Sequence, residues 1–214
     1  MLHQLNPDIH IQRSAPSCIM LFMHPAIFLD RDGVIIENRE QYVRSWPDVT
    51  FYPESLLALS KISRSPYKIV IVTNQSAVGR GLISLEDAEG INGRIREVIQ
   101  EAGGRIDGIF LCPHRPEDGC TCRKPQPGLI LRAARELSLD LSQSILIGDA
   151  LDDLRAGQAA NLPRTILVLT GRGKAQSSLA AARSLAPFEV FDSLLAAIQH
   201  LLLSVPKPDR PSGH

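Results

Sequence analysis

The chain has 214 residues, 44% of them hydrophobic and 21% charged, which fits one globular domain with a real core rather than a disordered or fibrous chain. Its 23 basic and 23 acidic residues cancel, arguing against a broad nucleic-acid footprint or a polybasic membrane anchor. No apolar run approaches the ~20 residues of a spanning helix, so neither nucleic acid nor membrane is an expected partner.

Residues 1–24 mix polar and apolar side chains around Pro7 and Pro16 without periodicity, and are expected to form a disordered extension, with Met20 or Met23 serving equally well as a start. Cys18–Met23 is apolar but short, without the basic start and small-residue cleavage site of a secretory signal. Cys18 and His24 carry no expected function. Ala26-Ile27-Phe28-Leu29 is apolar on both faces, as a buried parallel strand must be, and stops at Asp30 and Asp32, one residue apart, followed by Gly33. Ligands of such sheets sit beyond the strands' carboxyl ends, so both acids are delivered to the crevice.

Residues 34–52, with Tyr42, Trp46, Pro47 and Phe51 among charges, are too irregular for one helix and predict a flap. Pro53-Glu54 opens a helix to about Arg64, with proline and an acid in the first turn. Lys68–Thr73 is a second buried strand ending in Thr73-Asn74-Gln75-Ser76. The capping pair Ser84 and Asp87 starts a helix to about Ala102. Gly108–Leu111 predicts a third strand, leading into a loop with Cys112, His114, Cys120 and Cys122. A helix over Pro127–Leu137, a strand over Ser144–Asp149, a helix over Leu151–Ala160 and a strand over Thr165–Leu169 follow. Helices near Ser177–Ser184 and Ser193–Leu203 complete the domain, and the proline- and charge-rich residues 205–214 read as a disordered tail. Alternating strands and helices make a doubly wound, mainly parallel, Rossmann-like α/β sheet with helices on both faces. The gaps leave no room for a large cap domain, and nothing points to a large apolar interface, so a monomer is expected.

Asp30 and Asp32, Thr73 with Asn74, and Asp149 with Asp153 a turn later thus close three strands, and Lys124 precedes Pro125 before a helix. Acid-rich strand ends suit a hard cation, and Mg²⁺ commonly accompanies phosphate. A cation, a lysine and a hydroxyl make a pocket for a phosphoryl dianion, with one carboxylate free to attack phosphorus and another to serve the leaving oxygen. The clustered cysteines favour a metal over a disulfide framework and a reducing, cytoplasmic setting.

Asp30-Arg31-Asp32-Gly33-Val34, Val72-Thr73-Asn74-Gln75-Ser76, Arg123-Lys124-Pro125 and Gly148-Asp149-x-x-x-Asp153 resemble, in order, the four motifs of the haloacid dehalogenase-like phosphohydrolases. The likeness spans about Ala26 to Arg172, within a phosphatase domain expected over 25–204. Cys112-Pro113-His114 and Cys120-Thr121-Cys122 resemble the zinc loop (112–122) of the D-glycero-D-manno-heptose 1,7-bisphosphate phosphatases and the histidinol-phosphate phosphatases. Thr73–Ser76 with Arg80-Gly81, and Leu169-Thr170-Gly171, lean toward the heptose group. Three thiolates and an imidazole fill a tetrahedral Zn²⁺ site without an open position, which marks a structural metal.

The resemblance implies that Asp30 is the nucleophile and Asp32 the acid and base. It implies that Thr73 hydrogen-bonds the phosphoryl oxygens and Lys124 neutralises developing charge, with Mg²⁺ on Asp30, Asp149 and the main-chain carbonyl of Asp32. Asp153 is either a supporting acid or a solvated helix residue. Asn74, Ser76, Arg80 and Arg123 are the expected contacts to the rest of a small sugar phosphate, a guanidinium pair suiting a second phosphate. Ala150 stands where many heptose bisphosphate phosphatases carry lysine, which leaves the exact substrate open. The expected function is hydrolysis of the 7-phosphate of D-glycero-D-manno-heptose 1,7-bisphosphate. The alternatives are a histidinol-phosphate phosphatase and, from another class, a non-catalytic zinc-stabilised phosphosugar-binding protein.

Overall fold

The computed structural model describes residues 23–185 and 187–204. Among them a six-stranded sheet forms from β1 (Ala26–Leu29), β2 (Lys68–Asn74), β3 (Gly108–Cys112), β4 (Ile145–Gly148), β5 (Arg164–Val168) and β6 (Glu189–Phe191), ordered β3-β2-β1-β4-β5-β6. Every neighbouring pair is parallel. The helices are α1 (Pro53–Ile62), α2 (Ser76–Gly79), α3 (Leu85–Glu101), α4 (Gly128–Leu137), α5 (Leu151–Ala159), α6 (Gly173–Ser177), α7 (Ala180–Arg183) and α8 (Leu194–Ser204).

The sheet is covered on both faces, which is why its central strands are apolar throughout. Ile27 and Leu29 pack with Leu59 of α1, Ile95 of α3 and Ile198 of α8. Ala26 and Phe28 turn the other way, onto Leu129, Ile130 and Ala133 of α4 and Ala156 of α5. Each such large aliphatic or aromatic side chain contributes about 1.5–3 kcal/mol on burial. Strand order reverses between β1 and β4, and the crevice opens beyond their carboxyl ends.

Four departures from the sequence expectations have local causes. Residues 34–52 are better anchored than a free flap: Val34, Ile35, Ile36 and Val43 are buried, the buried Ser55 hydroxyl donates to the carbonyls of Val34 and Ile35, and the Arg94 guanidinium lies 4.1 Å over the Trp46 ring. The helix expected near Ser177–Ser184 splits into α6 and α7, because the Ser177 and Ser178 hydroxyls both turn back onto the Lys174 carbonyl and compete with helix continuation. The edge strand β6 escapes sequence detection because three residues of mixed polarity carry no periodic signal; Arg164 Nε donates to Glu189 Oε1 (2.8 Å) and ties it to β5. Finally, His24 belongs to the fold rather than to an extension, its amide donating to Ser138 and its carbonyl accepting from Asp140. The remainder of the expected extension, with Cys18, and the tail over 205–214 lie outside the described residues. Among the described residues no helix is long and apolar enough to cross a membrane.

Candidate active site

Because β1, β2 and β4 are adjacent and parallel, their polar endings meet in one crevice, a cavity of about 360 Å³. Asp30, Asp32, Asn74, Ser76, Arg123, Lys124, Asp153 and Arg172 line it, and the flap residues Asn38, Arg39, Glu40, Tyr42 and Val43 form its far wall. Carboxylate oxygens of Asp30, Asp149 and Asp153 all lie within 4.8 Å of one another, and each residue is almost fully buried.

Lys124 organises this cluster from beneath. Its ammonium donates to Asp30 Oδ1 (2.9 Å), Asp153 Oδ1 (2.6 Å) and the Val72 carbonyl (2.8 Å), which uses all three of its protons. Burial favours the neutral amine, but Asp153 and Asp30 outweigh it and hold the lysine more firmly protonated than usual. Asp153 also accepts from the Ala150 amide (3.0 Å), capping α5, so it is a buried structural acid and not a solvated one. Burial pushes the Asp30 carboxyl up to about 7 against the pull of Lys124, with Asp153, Asp149 and Asp32 adding to the rise.

Asp149 is approached from both sides. Asn38 Nδ2 donates to its Oδ2 (2.7 Å), as does the Arg172 amide (2.8 Å), and the Arg172 guanidinium pairs with Oδ1 at 3.1 Å. Gly33 has φ +87° and a Cβ there would fall inside the Asp149 carboxylate. Gly33→Ala is therefore expected to displace Asp149 and to add about 1–2 kcal/mol of backbone strain. We expect magnesium-dependent phosphate release to drop by at least about 10²-fold, read as loss of the Mg²⁺ response in a phosphate assay.

Asp32 sits apart from the three-acid cluster, its Oδ2 accepting from Gln75 Nε2 (3.0 Å) and from Thr73 Oγ1 (3.4 Å). The fully buried Thr73 hydroxyl in turn accepts from Gln75 Nε2 (2.7 Å). Asn74 is pinned to the lysine loop by a reciprocal pair, Nδ2 to the Lys124 carbonyl (3.0 Å) and the Lys124 amide to Oδ1 (3.1 Å). Arg123 donates to the Ser76 hydroxyl (2.7 Å) and the His114 carbonyl (3.1 Å).

That last contact joins the crevice to the Cys/His loop. Cys112, Cys120 and Cys122 place their Sγ atoms 3.2–3.6 Å apart, and His114 Nδ1 lies 3.3 Å from Cys122 and 3.5 Å from Cys112. Thiolates bound tetrahedrally at about 2.3 Å from zinc sit about 3.8 Å from each other, so the donor set fits Zn²⁺ in type, number and spacing. Burial raises the Cys112 thiol, whereas Cys120 falls to about 7: burial opposes that fall, and the Arg123 amide and the neighbouring thiols drive it. The acid cluster likewise fits a hard divalent cation, since its carboxylates outnumber the lysine inside it.

A family model for HAD-hydrolase-like proteins matches residues 121–197. The D-glycero-beta-D-manno-heptose-1,7-bisphosphate 7-phosphatase of Pseudomonas aeruginosa is 37% identical over 147 residues, covering 69% of this chain and 82% of its own length. Its namesake from Neisseria meningitidis serogroup A is 35% identical over 176 residues, 82% of this chain and 94% of the relative. The chain belongs to the heptose bisphosphate phosphatase family of haloacid dehalogenase-like enzymes. The D,D-heptose 1,7-bisphosphate phosphatase of Bordetella bronchiseptica, complexed with magnesium and phosphate, shares its fold with a TM-score of 0.77 at 34% identity, covering 85% of this chain and 99% of that one.

Within this member of the heptose bisphosphate phosphatase family, Arg80 departs from the sequence expectation. It does not line the cavity; its Nε donates to the Tyr42 hydroxyl (3.0 Å) and its Nη2 lies 3.5 Å from Glu117, bridging the flap to the Cys/His loop across the surface. Exposed pairs of this kind contribute about 0–1 kcal/mol. Arg80→Ala is accordingly expected to change kcat/KM by less than about 5-fold, checked by steady-state kinetics beside Arg123→Ala. Arg31, Asn38, Gln75 and Arg172 also hold the site's acids, and none of them is a site candidate from sequence. Arg31 and Gln75 lie inside the motifs already quoted, and Arg172 directly follows Leu169-Thr170-Gly171, so adjacency was the available signal; Asn38, in an aperiodic flap, had none.

Proposed function

We propose that this chain hydrolyses the 7-phosphate of D-glycero-D-manno-heptose 1,7-bisphosphate through an aspartyl-phosphate on Asp30. One observation carries the reading: the Lys124 ammonium joins Asp30 and Asp153 within a buried three-carboxylate cluster beside Asp32. Relatives at 35–37% identity, named for this reaction, support the substrate.

In this reading Asp30 attacks phosphorus and the bond to the sugar oxygen breaks. Asp32 gives that oxygen a proton and later takes one from the water that hydrolyses the aspartyl-phosphate, returning Asp30 and releasing phosphate. Lys124 and Thr73 stabilise charge on the phosphoryl group in flight, Lys124 through a position already fixed by three acceptors. Asp30, Asp149 and the main-chain carbonyl of Asp32 would hold Mg²⁺. When bound, that cation screens the carboxylates from the incoming dianion and polarises the phosphoryl oxygens. Arg123, steadied by Ser76, is the candidate grip on the second phosphate, with Asn74 holding the lysine loop in place. The Cys/His loop would carry Zn²⁺ and order the chain leading into Arg123 and Lys124. The accessible crevice suits a small phosphomonoester, and we take the enzyme to act as a cytoplasmic monomer.

Phosphate release with Mg²⁺ from the beta-anomer of the bisphosphate and from histidinol phosphate, compared side by side, tests this. A clear preference for the bisphosphate is expected. Preference for histidinol phosphate overturns the substrate, and release from neither overturns the chemistry.

A further inference from the structure

Arg31 takes no part in the mechanism above, yet it is the largest fully buried side chain among the described residues. Burying a guanidinium is strongly unfavourable unless its donors are matched by acceptors. Here Nε donates to Asp32 Oδ2 (3.1 Å), Nη2 to Asp32 Oδ1 (3.1 Å) and to Gln75 Oε1 (2.9 Å), and Nη1 to Asn92 Oδ1 (2.8 Å). The Asp32 side chain is 21% exposed and faces the cavity, whereas the Arg31 side chain behind it is 2% exposed.

Both amide partners are oriented by this guanidinium, which carries donors only. Gln75 must present Oε1 to Arg31, which leaves its Nε2 aimed at Asp32 Oδ2 and Thr73 Oγ1. Asn92 must present Oδ1, and its Nδ2 is left buried without a partner. Asn92 is also the polar exception among the buried residues of α3, Ala88, Ile91, Ile95 and Ile99. A polar side chain in that stripe, with one end unpaired, has no packing rationale; its one hydrogen bond goes to Arg31.

We propose that Arg31 is a positioning residue for Asp32: backed by Asn92, it grips the carboxylate directly and, through the amide of Gln75, a second time, so that Asp32 meets the leaving oxygen in one fixed orientation. This rests on the reading of Asp32 as proton donor. It predicts a loss that depends on the leaving group, because a sugar alkoxide needs a proton to depart and para-nitrophenolate does not.

The test compares kcat/KM for heptose 1,7-bisphosphate and para-nitrophenyl phosphate in wild type, Arg31→Met, Arg31→Lys, Asn92→Ala and Asp32→Asn, with circular dichroism melts to establish folding. Positioning of an acid–base group accounts for about 10²-fold or more. Arg31→Met is expected to lose at least about 30-fold on the sugar phosphate and less than about 3-fold on the aryl ester. Arg31→Lys should recover part of the loss, and Asn92→Ala should show the same selectivity at about 3–10-fold. In the Asp32→Asn background Arg31→Met should cost little more, because the two act as one unit. If Arg31→Met does not fold, Asn92→Ala and Arg31→Lys carry the comparison. Equal losses on both substrates, or full additivity with Asp32→Asn, would overturn the inference while leaving the phosphatase reading intact. A wild-type chain inactive on both substrates would overturn the two together.

Discussion

Asp30→Asn is expected to cut phosphate release by at least about 10³-fold while making the magnesium-free protein more heat-stable at pH 8. Activity falls because an amide cannot attack phosphorus. Stability rises because Asp30 is an unfavourable carboxylate when no cation is present. Burial first, then Asp153, Asp149 and Asp32, raise it from 3.8 to about 7, with Lys124 offsetting only part. Between those two values the folded chain retains a proton that the unfolded chain has released, so this group destabilises the fold increasingly as pH rises through that window, and fully above it. Asn, which does not ionise, lacks the penalty. The melting temperature of the variant should match wild type near pH 4 and exceed it by about 4 °C or more at pH 8, in magnesium-free buffer that leaves zinc in place. Adding Mg²⁺ should raise the melting temperature of wild type and scarcely move the variant. A variant melting below wild type at pH 8 would mean that Lys124 needs Asp30 more than Asp30 suffers from its neighbours.

Cys122→Ser should have the second largest effect. Cys122 is a zinc ligand candidate and the residue directly before Arg123 and Lys124, so the candidate metal site and the buried lysine of the crevice share one short stretch of chain. Zinc sites in small peptides are worth on the order of 10 kcal/mol, and within this domain the share that orders one loop is smaller. We expect loss of bound zinc, a destabilisation on the order of 3 kcal/mol, and at least about 10²-fold lower activity from misplacement of Lys124. Metal analysis of the purified protein, thermal melts and phosphate assays check the three together. Retention of full zinc content by the variant would show that Cys112, His114 and Cys120 suffice.

The ligand-poised groups differ in how far the sequence alone specifies them. Asp30, Asp32, Lys124 and Asp149 are legible because each stands where an apolar run ends or a helix begins, and parallel topology brings strand ends together. The four metal-ligand candidates are legible by residue type and spacing alone. Arg80 is not, because it follows the pocket residue Ser76 by only four positions while its side chain turns outward to Tyr42 and Glu117.

The chain's own residues thus determine the α/β alternation, the five longer strands within a residue or so of their bounds, and which acids and which Cys/His cluster stand at strand ends, because these depend on local periodicity and chemistry. Tertiary structure alone decided which acids crowd together, that Asp153 shares the lysine with Asp30, that Asn38 and Arg172 clasp Asp149, and that Arg31 stands buried behind Asp32. Those arrangements join side chains up to 123 positions apart, Asp30 and Asp153, and their energies come from burial and charge proximity that no short window of sequence contains.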